Sequence, residues 1–270
     1  MPFVTTDDGA KIHYLDTGGD GPAVLLMHGI FMDADMWAPQ QRSLAPDYRV
    51  IAVDSRGHGL TEDPGVPYDY WRLAQDAWQV ADRLGLDRIV TGGLLQGGWT
   101  GLRMALQQPD RVRGLILVGS RADAYDGFER PVFERVVMDS WILGDEPLEP
   151  LAKLIAVQQI GGDVERHQQF WVDKWLAGDR RRPLLAGRAL IDREGIEDRL
   201  GEIAAPALLM HGIGDPVQTR EKTEAMAGLM GGPARVETID AFAAAHSVTW
   251  THPELTDPLI RDFLAGLPNS

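Results

Sequence analysis

Five short, nearly unbroken apolar stretches recur along the chain: 23–27 (AVLLM), 49–53 (RVIAV), 88–91 (RIVT), 114–118 (GLILV) and 207–210 (ALLM). Each is too short to form a buried helix and lacks the in–out alternation of a half-exposed strand. Runs of this kind suit strands covered on both faces. Helical periodicity fills the gaps near 34–45, 68–84 and 98–108. That alternation predicts an α/β fold: a mostly parallel sheet flanked by helices, joined by right-handed crossovers. Residues 11–17 (KIHYLDT) alternate apolar and polar, as an antiparallel strand does, and 235–239 (RVETI) reads as a further strand before a last helix at 253–265.

The alternation stops after Ser120. Residues 121–188 contain Pro131, the polar stretch GDEPLEP at 144–150 and helical runs around 132–142, 149–159 and 163–177. They read as a helical cap inserted into a core made of 1–120 and 189–270. One domain of 270 residues is ordinary for this architecture.

Open parallel sheets bind ligands at the carboxyl ends of their strands. The first buried run is followed by His28-Gly29-Ile30-Phe31, a tight turn whose free N–H groups can meet a developing negative oxygen. The second is followed by Asp54-Ser55-Arg56-Gly57-His58-Gly59, best read as a structural turn in which Arg56 and His58 hold the loop by hydrogen bonds. The third leads into Gly92-Gly93-Leu94-Leu95-Gln96-Gly97-Gly98-Trp99. Glycines two before and two after a central residue form the frame of a nucleophile elbow, G-x-S-x-G, where a strained residue sits between strand and helix. Here the frame is present and Leu95 holds the centre. The run at 207–210 is followed by His211-Gly212-Ile213-Gly214-Asp215, and 235–239 is followed by small residues and then His246. The order 95, 215, 246 is that of nucleophile, acid and histidine in such a sheet.

These pieces resemble the α/β-hydrolase superfamily and are similar to its esterase, perhydrolase and enol-lactonase branch. The resemblance rests on HGIFMDADMW (28–37), DSRGHG (54–59), GGLLQGGW (92–99), RVRGLILVGSRADA (111–124), RLGEIAAPALLMHGIGD (199–215) and HSVTWTHPE (246–254). It implies His246 as general base, Asp215 as its partner, Leu95 at the nucleophile position, and backbone N–H groups of Ile30 or Phe31, and of Gln96, as the oxyanion hole. Leucine has no lone pair with which to attack a carbonyl. Three readings stay open: a serine hydrolase of the ester or lactone type disabled or repurposed at one position; a His–Asp acid/base enzyme of lyase or cofactor-free oxygenase type; or a non-catalytic small-molecule-binding relative. Ser55 and Ser120 lie at strand ends outside the elbow frame and read as turn residues.

Trp37, Trp99 and Trp141 are expected on the pocket, which suits an apolar ester or lactone. Arg121 is expected in a surface salt bridge. The seven histidines are scattered without an HExxH pair, and no P-loop or GxGxxG follows the first strand, so no metal or cofactor is expected. A net charge of −14 argues against nucleic-acid and membrane partners. No apolar run reaches the about 18 residues a membrane span needs. The absence of cysteine fits a reducing cytoplasm. The oligomeric state is not fixed by the sequence.

Overall fold

The apolar runs become strands, and each divides its residues between two cores. Val24 and Leu26 of the first buried strand pack into one cluster, while Leu25 and Met27 pack into the other. Val50 and Ala52 likewise oppose Ile51 and Val53. This two-sided burial is why the runs lack alternation.

A computed structural model describes residues 2–268. Its strands are β1 (Phe3–Thr5), β2 (Lys11–Asp16), β3 (Ala23–Met27), β4 (Arg49–Val53), β5 (Ile89–Leu94), β6 (Val112–Val118), β7 (Ala207–Gly212) and β8 (Ala234–Ile239). They form one sheet in the order β1-β2-β4-β3-β5-β6-β7-β8. β1 and β2 enter antiparallel, and every pairing from β4 to β8 is parallel. The helices of the first half are α1 (Ala38–Leu44), α2 (Tyr70–Arg83) and α3 (Gln96–Gln107).

Between β6 and β7 the chain is helical. α4 (Glu129–Phe133) continues as wider π turns over Glu134–Ile142. α5 (Leu148–Ile155) does the same over Ala156–Ile160. Val164–Gln168 lead into α6 (Gln169–Ala177), and α7 (Leu184–Ile191) follows. α7 crosses residue 188, the expected end of the insertion, because its buried side chains run on through Ala189, Leu190 and Ile191. The last helices are α8 (Arg220–Leu229), α9 (Val248–Thr251) and α10 (Pro253–Ala265).

The structure departs from the sequence reading at a few boundaries. β1 leaves no mark in the sequence, since three residues carry no periodicity. β5 runs past residue 91 through two glycines, and α3 starts at Gln96 rather than 98. The helix expected over 34–45 splits into a 3-10 turn (Ala34–Trp37) and α1, with Pro39 near the start of α1, where its missing N–H costs nothing. α8 is likewise unmarked: only Thr223 and Met226 of its ten residues are buried, which leaves little apolar stripe to read.

Candidate active site

The turn from β5 into α3 is set by how closely backbones approach. Gly93 has φ 152°, and a Cβ there would lie 1.9 Å from the carbonyl oxygen of Met27. A Cβ on Gly97 would lie 2.1 Å from the same oxygen. Between them Leu95 sits at φ 48°, ψ −108°, a backbone conformation that costs a non-glycine residue about 1–3 kcal/mol. The elbow geometry is therefore formed around a leucine. Its side chain is 5% exposed and lines the cavity above the sheet.

His246 and Asp215 meet. Nδ1 of His246 lies 2.6 Å from Oδ2 of Asp215, and both residues are buried. A carboxylate only accepts, so Nδ1 carries a proton. Nε2 is buried and has no partner among the described residues. The other Asp215 oxygen accepts from the N–H groups of Val217 (2.8 Å) and Gln218 (3.0 Å). Burial works to raise the Asp215 pKa. The neighbouring His246 and these N–H groups outweigh it and hold the carboxyl below its ordinary value, so Asp215 is ionised and fixes the imidazole orientation.

Of the expected oxyanion donors, Phe31 is already engaged. Its N–H donates to Nε2 of His58 at 3.2 Å, while Nδ1 of His58 donates to the carbonyl of Arg56 at 2.9 Å. Among the described residues the N–H groups of Ile30 and Gln96 have no protein acceptor. Phe31 itself has φ 64°. It is held from the other side as well, where Nε1 of Trp175 donates to its carbonyl at 2.6 Å and Trp141 stacks on its ring at 4.3 Å. Burial pushes the His58 pKa down to about 3, so this ring is neutral and able to accept. His28 beside it is also neutral, accepting from the N–H of Ser55 at 2.9 Å.

Arg56 ties the loop as expected, pairing with Asp76 (2.6 Å) and Asp8 (2.8 Å). The Ser120 hydroxyl faces the carbonyls of Val118 (2.9 Å) and Leu95 (3.2 Å), which makes it a structural donor under the elbow. Arg121 is not on the surface: it is buried and pairs with Asp123 and, at 2.8 Å, with Glu129.

The cavity over the elbow measures about 300 Å³. Ile30, Phe31 and Leu95 form its floor; helical residues such as Val132, Phe133, Val136 and Leu190 form its walls. All three expected aromatics are absent from it. Trp37 is fully buried in the core beside Met36 and Leu44. Trp99 is fully buried under the guanidinium of Arg193, which lies 3.6 Å from its ring centre. Both follow the binding loops closely in sequence, but their helical turns aim them at the core. Trp141 carries Phe31 and lines a second, smaller recess with His58 and Trp175. Tyr125, Glu129 and Lys222 also line the main cavity and are not marked in the sequence. Among the described residues no group of three His, Asp or Glu is placed to hold a metal ion, and no helix is long and apolar enough to cross a membrane.

Residues 22–145 match the family described as alpha/beta hydrolase fold. The chain is similar to the pimeloyl-(acyl-carrier protein) methyl ester esterase of Nitrosomonas europaea, with 31% identity over 77% of this chain and 82% of that protein. Among solved structures it is similar to the enol-lactonase of Burkholderia xenovorans (TM-score 0.84, 26% identity, 98% of this chain and 100% of that one). It is equally similar to a thermophilic esterase of Thermogutta terrifontis (TM-score 0.83, 26% identity, 98% of this chain and 97% of that one).

Proposed function

Since the chain belongs to the α/β-hydrolase family, we propose that its site is that of a carboxylic ester or lactone hydrolase in which Leu95 has taken the nucleophile's place, leaving a small-molecule-binding cavity that does not hydrolyse esters. One observation carries this reading: Leu95 occupies the positive-φ centre of an elbow whose glycine frame and His246–Asp215 pair are both in place.

In the hydrolytic mechanism a serine oxygen attacks the carbonyl, the histidine takes its proton, the aspartate steadies the imidazolium, and two backbone N–H groups receive the oxyanion. Here His246, Asp215 and the N–H groups of Ile30 and Gln96 stand ready, and the attacking atom is missing. Leucine also fills the space where the hydroxyl and the substrate carbonyl would meet. An apolar floor under apolar walls suits an uncharged ester, a lactone or a similar small molecule as the bound species.

A second reading draws on the unpartnered Nε2 of His246. In it the His–Asp pair abstracts a proton from a bound substrate without a covalent intermediate.

The deciding experiment compares this chain with Leu95→Ser on p-nitrophenyl acetate and a lactone panel. The serine variant is expected to gain on the order of 10⁶-fold in kcat and to lose it again with His246→Ala. A serine variant that stays inactive on a broad ester panel would overturn the hydrolase reading and favour proton transfer.

A further inference from the structure

One end of the cavity differs from the rest of its wall. Most of the lining is apolar, but Tyr125, Glu129 and Lys222 meet there. Tyr125 is 8% exposed, and its hydroxyl proton has no acceptor among the described residues. Oε2 of Glu129 is buried and likewise without a partner, although Oε1 of the same carboxylate is occupied by Arg121 (2.8 Å) and Lys222 (3.0 Å). The two residues are neighbours, since the Arg121 guanidinium that binds Glu129 also lies over the Tyr125 ring, 5.5 Å from its centre. Arg193 approaches the same ring at 4.8 Å, but a guanidinium only donates and cannot receive the phenol proton.

The charge states of both groups are fixed. The hydrogen bond from Arg121 holds the Glu129 carboxyl down to about 2, so it accepts at every working pH. Burial raises the Tyr125 phenol above its ordinary value, so it remains a donor. The wall thus carries one obligate donor and one obligate acceptor, each buried and each unmet. Groups in that state are expensive to leave without partners.

We infer that the cavity takes an apolar ligand bearing one hydroxyl, whose oxygen accepts from Tyr125 and whose hydrogen is donated to Glu129. A hydroxyl meets both needs with a single atom. A carboxylate would face the charge of Glu129, an ammonium would face Arg121 and Lys222, and an ether or ester oxygen would leave Glu129 unmet. The inference rests on the reading of this cavity as the ligand site.

Calorimetric titration of the chain as it stands with 1-octanol and with its isomer heptyl methyl ether tests it. The two probes share size and formula and differ in the hydroxyl. The alcohol is expected to bind about tenfold more tightly. Tyr125→Phe, which keeps the ring, is expected to weaken both probes by a similar factor of about fivefold, since either oxygen can accept from the phenol. Glu129→Gln, whose amide oxygen would stay on Arg121 and Lys222 and whose NH2 would replace the free Oε2, removes the acceptor and is expected to bring the two within about twofold of each other by weakening the alcohol. Equal affinities in the parent chain, a preference that survives Glu129→Gln, or binding unchanged by Tyr125→Phe would overturn the hydroxyl site while the cavity reading stands. Failure of both probes to bind would overturn both.

Discussion

The turn between β5 and α3 and the helical segment from Glu129 to Ile191 are built on different terms. In the turn, the two framing positions are limited by main chain: side chains at Gly93 and Gly97 are excluded by one carbonyl of Met27, and Leu95 between them has a positive φ. The helical segment is looser. It contains three stretches of π turns and exposes Leu154, Val157 and Val164, with Phe128 just before it exposed as well. The turn holds a leucine at its centre at positive φ. The helical segment supplies most of the cavity wall and so governs what fits. Leu95 belongs to both regions, at the centre of the turn and on the cavity floor.

The gain expected for Leu95→Ser is the largest effect in this scheme, because it changes the side chain and leaves the frame. Changing the frame itself comes next. Gly93→Ala should cost about 4 kcal/mol or more in urea-induced unfolding, since its Cβ would lie 1.9 Å from a strand carbonyl at a φ of 152°. Gly127, just before the helical segment, has nothing within 4 Å of a Cβ, and Gly127→Ala should change stability by less than about 0.5 kcal/mol. Similar costs at the two sites would break the comparison.

A smaller effect should appear with pH. His58 is neutral in the fold with its pKa pushed down to about 3, against about 6.5 when unfolded. The unfolded chain therefore binds the extra proton first, and folding loses stability as pH falls from about 6.5 towards 3. Between pH 7 and 4.5 this group should account for about 2–3 kcal/mol of the loss. His58→Asn, compared with the parent by urea unfolding at both pH values, should show a flatter dependence by that amount. An unchanged slope would mean that the ring is solvated and does not hold the Phe31 N–H.

Legibility in the sequence divides along the same line. The strands can be read because burial on both faces writes itself as unbroken apolar runs. The end of β5 cannot, since Gly92 and Gly93 show no side-chain pattern. Leu95, Asp215 and His246 are marked by their places just beyond strand ends, and the structure sets His246 against Asp215. Trp37 and Trp99 go to the core instead of the pocket because nearness in sequence says nothing about which way a helical turn aims a side chain. Tyr125, Glu129 and Lys222 leave no signal, because their meeting depends on how α4 and α8 pack across the cavity mouth. The identity of Phe31 as an engaged rather than a free donor needs the position of His58, 27 residues away in sequence.

Phe31 is where the two regions touch, and it offers the finest test. Its N–H is held from the core by His58 and its carbonyl from the helical segment by Trp175 at 2.6 Å. Trp175→Phe keeps a ring against Trp141, whose centre lies 5.1 Å away, and removes only the indole donor. The expected cost is about 1 kcal/mol, felt locally. It should appear as amide hydrogen exchange about fivefold faster at Ile30 and Phe31, with exchange in β3 and β5 unchanged. If the loop holds its protection, His58 alone fixes it, and the N–H groups of Ile30 and Phe31 belong wholly to the rigid half of the molecule. If protection is lost as expected, the helical segment reaches into the reaction frame at this one residue. A ligand that moves α6 would then also move the Ile30 N–H.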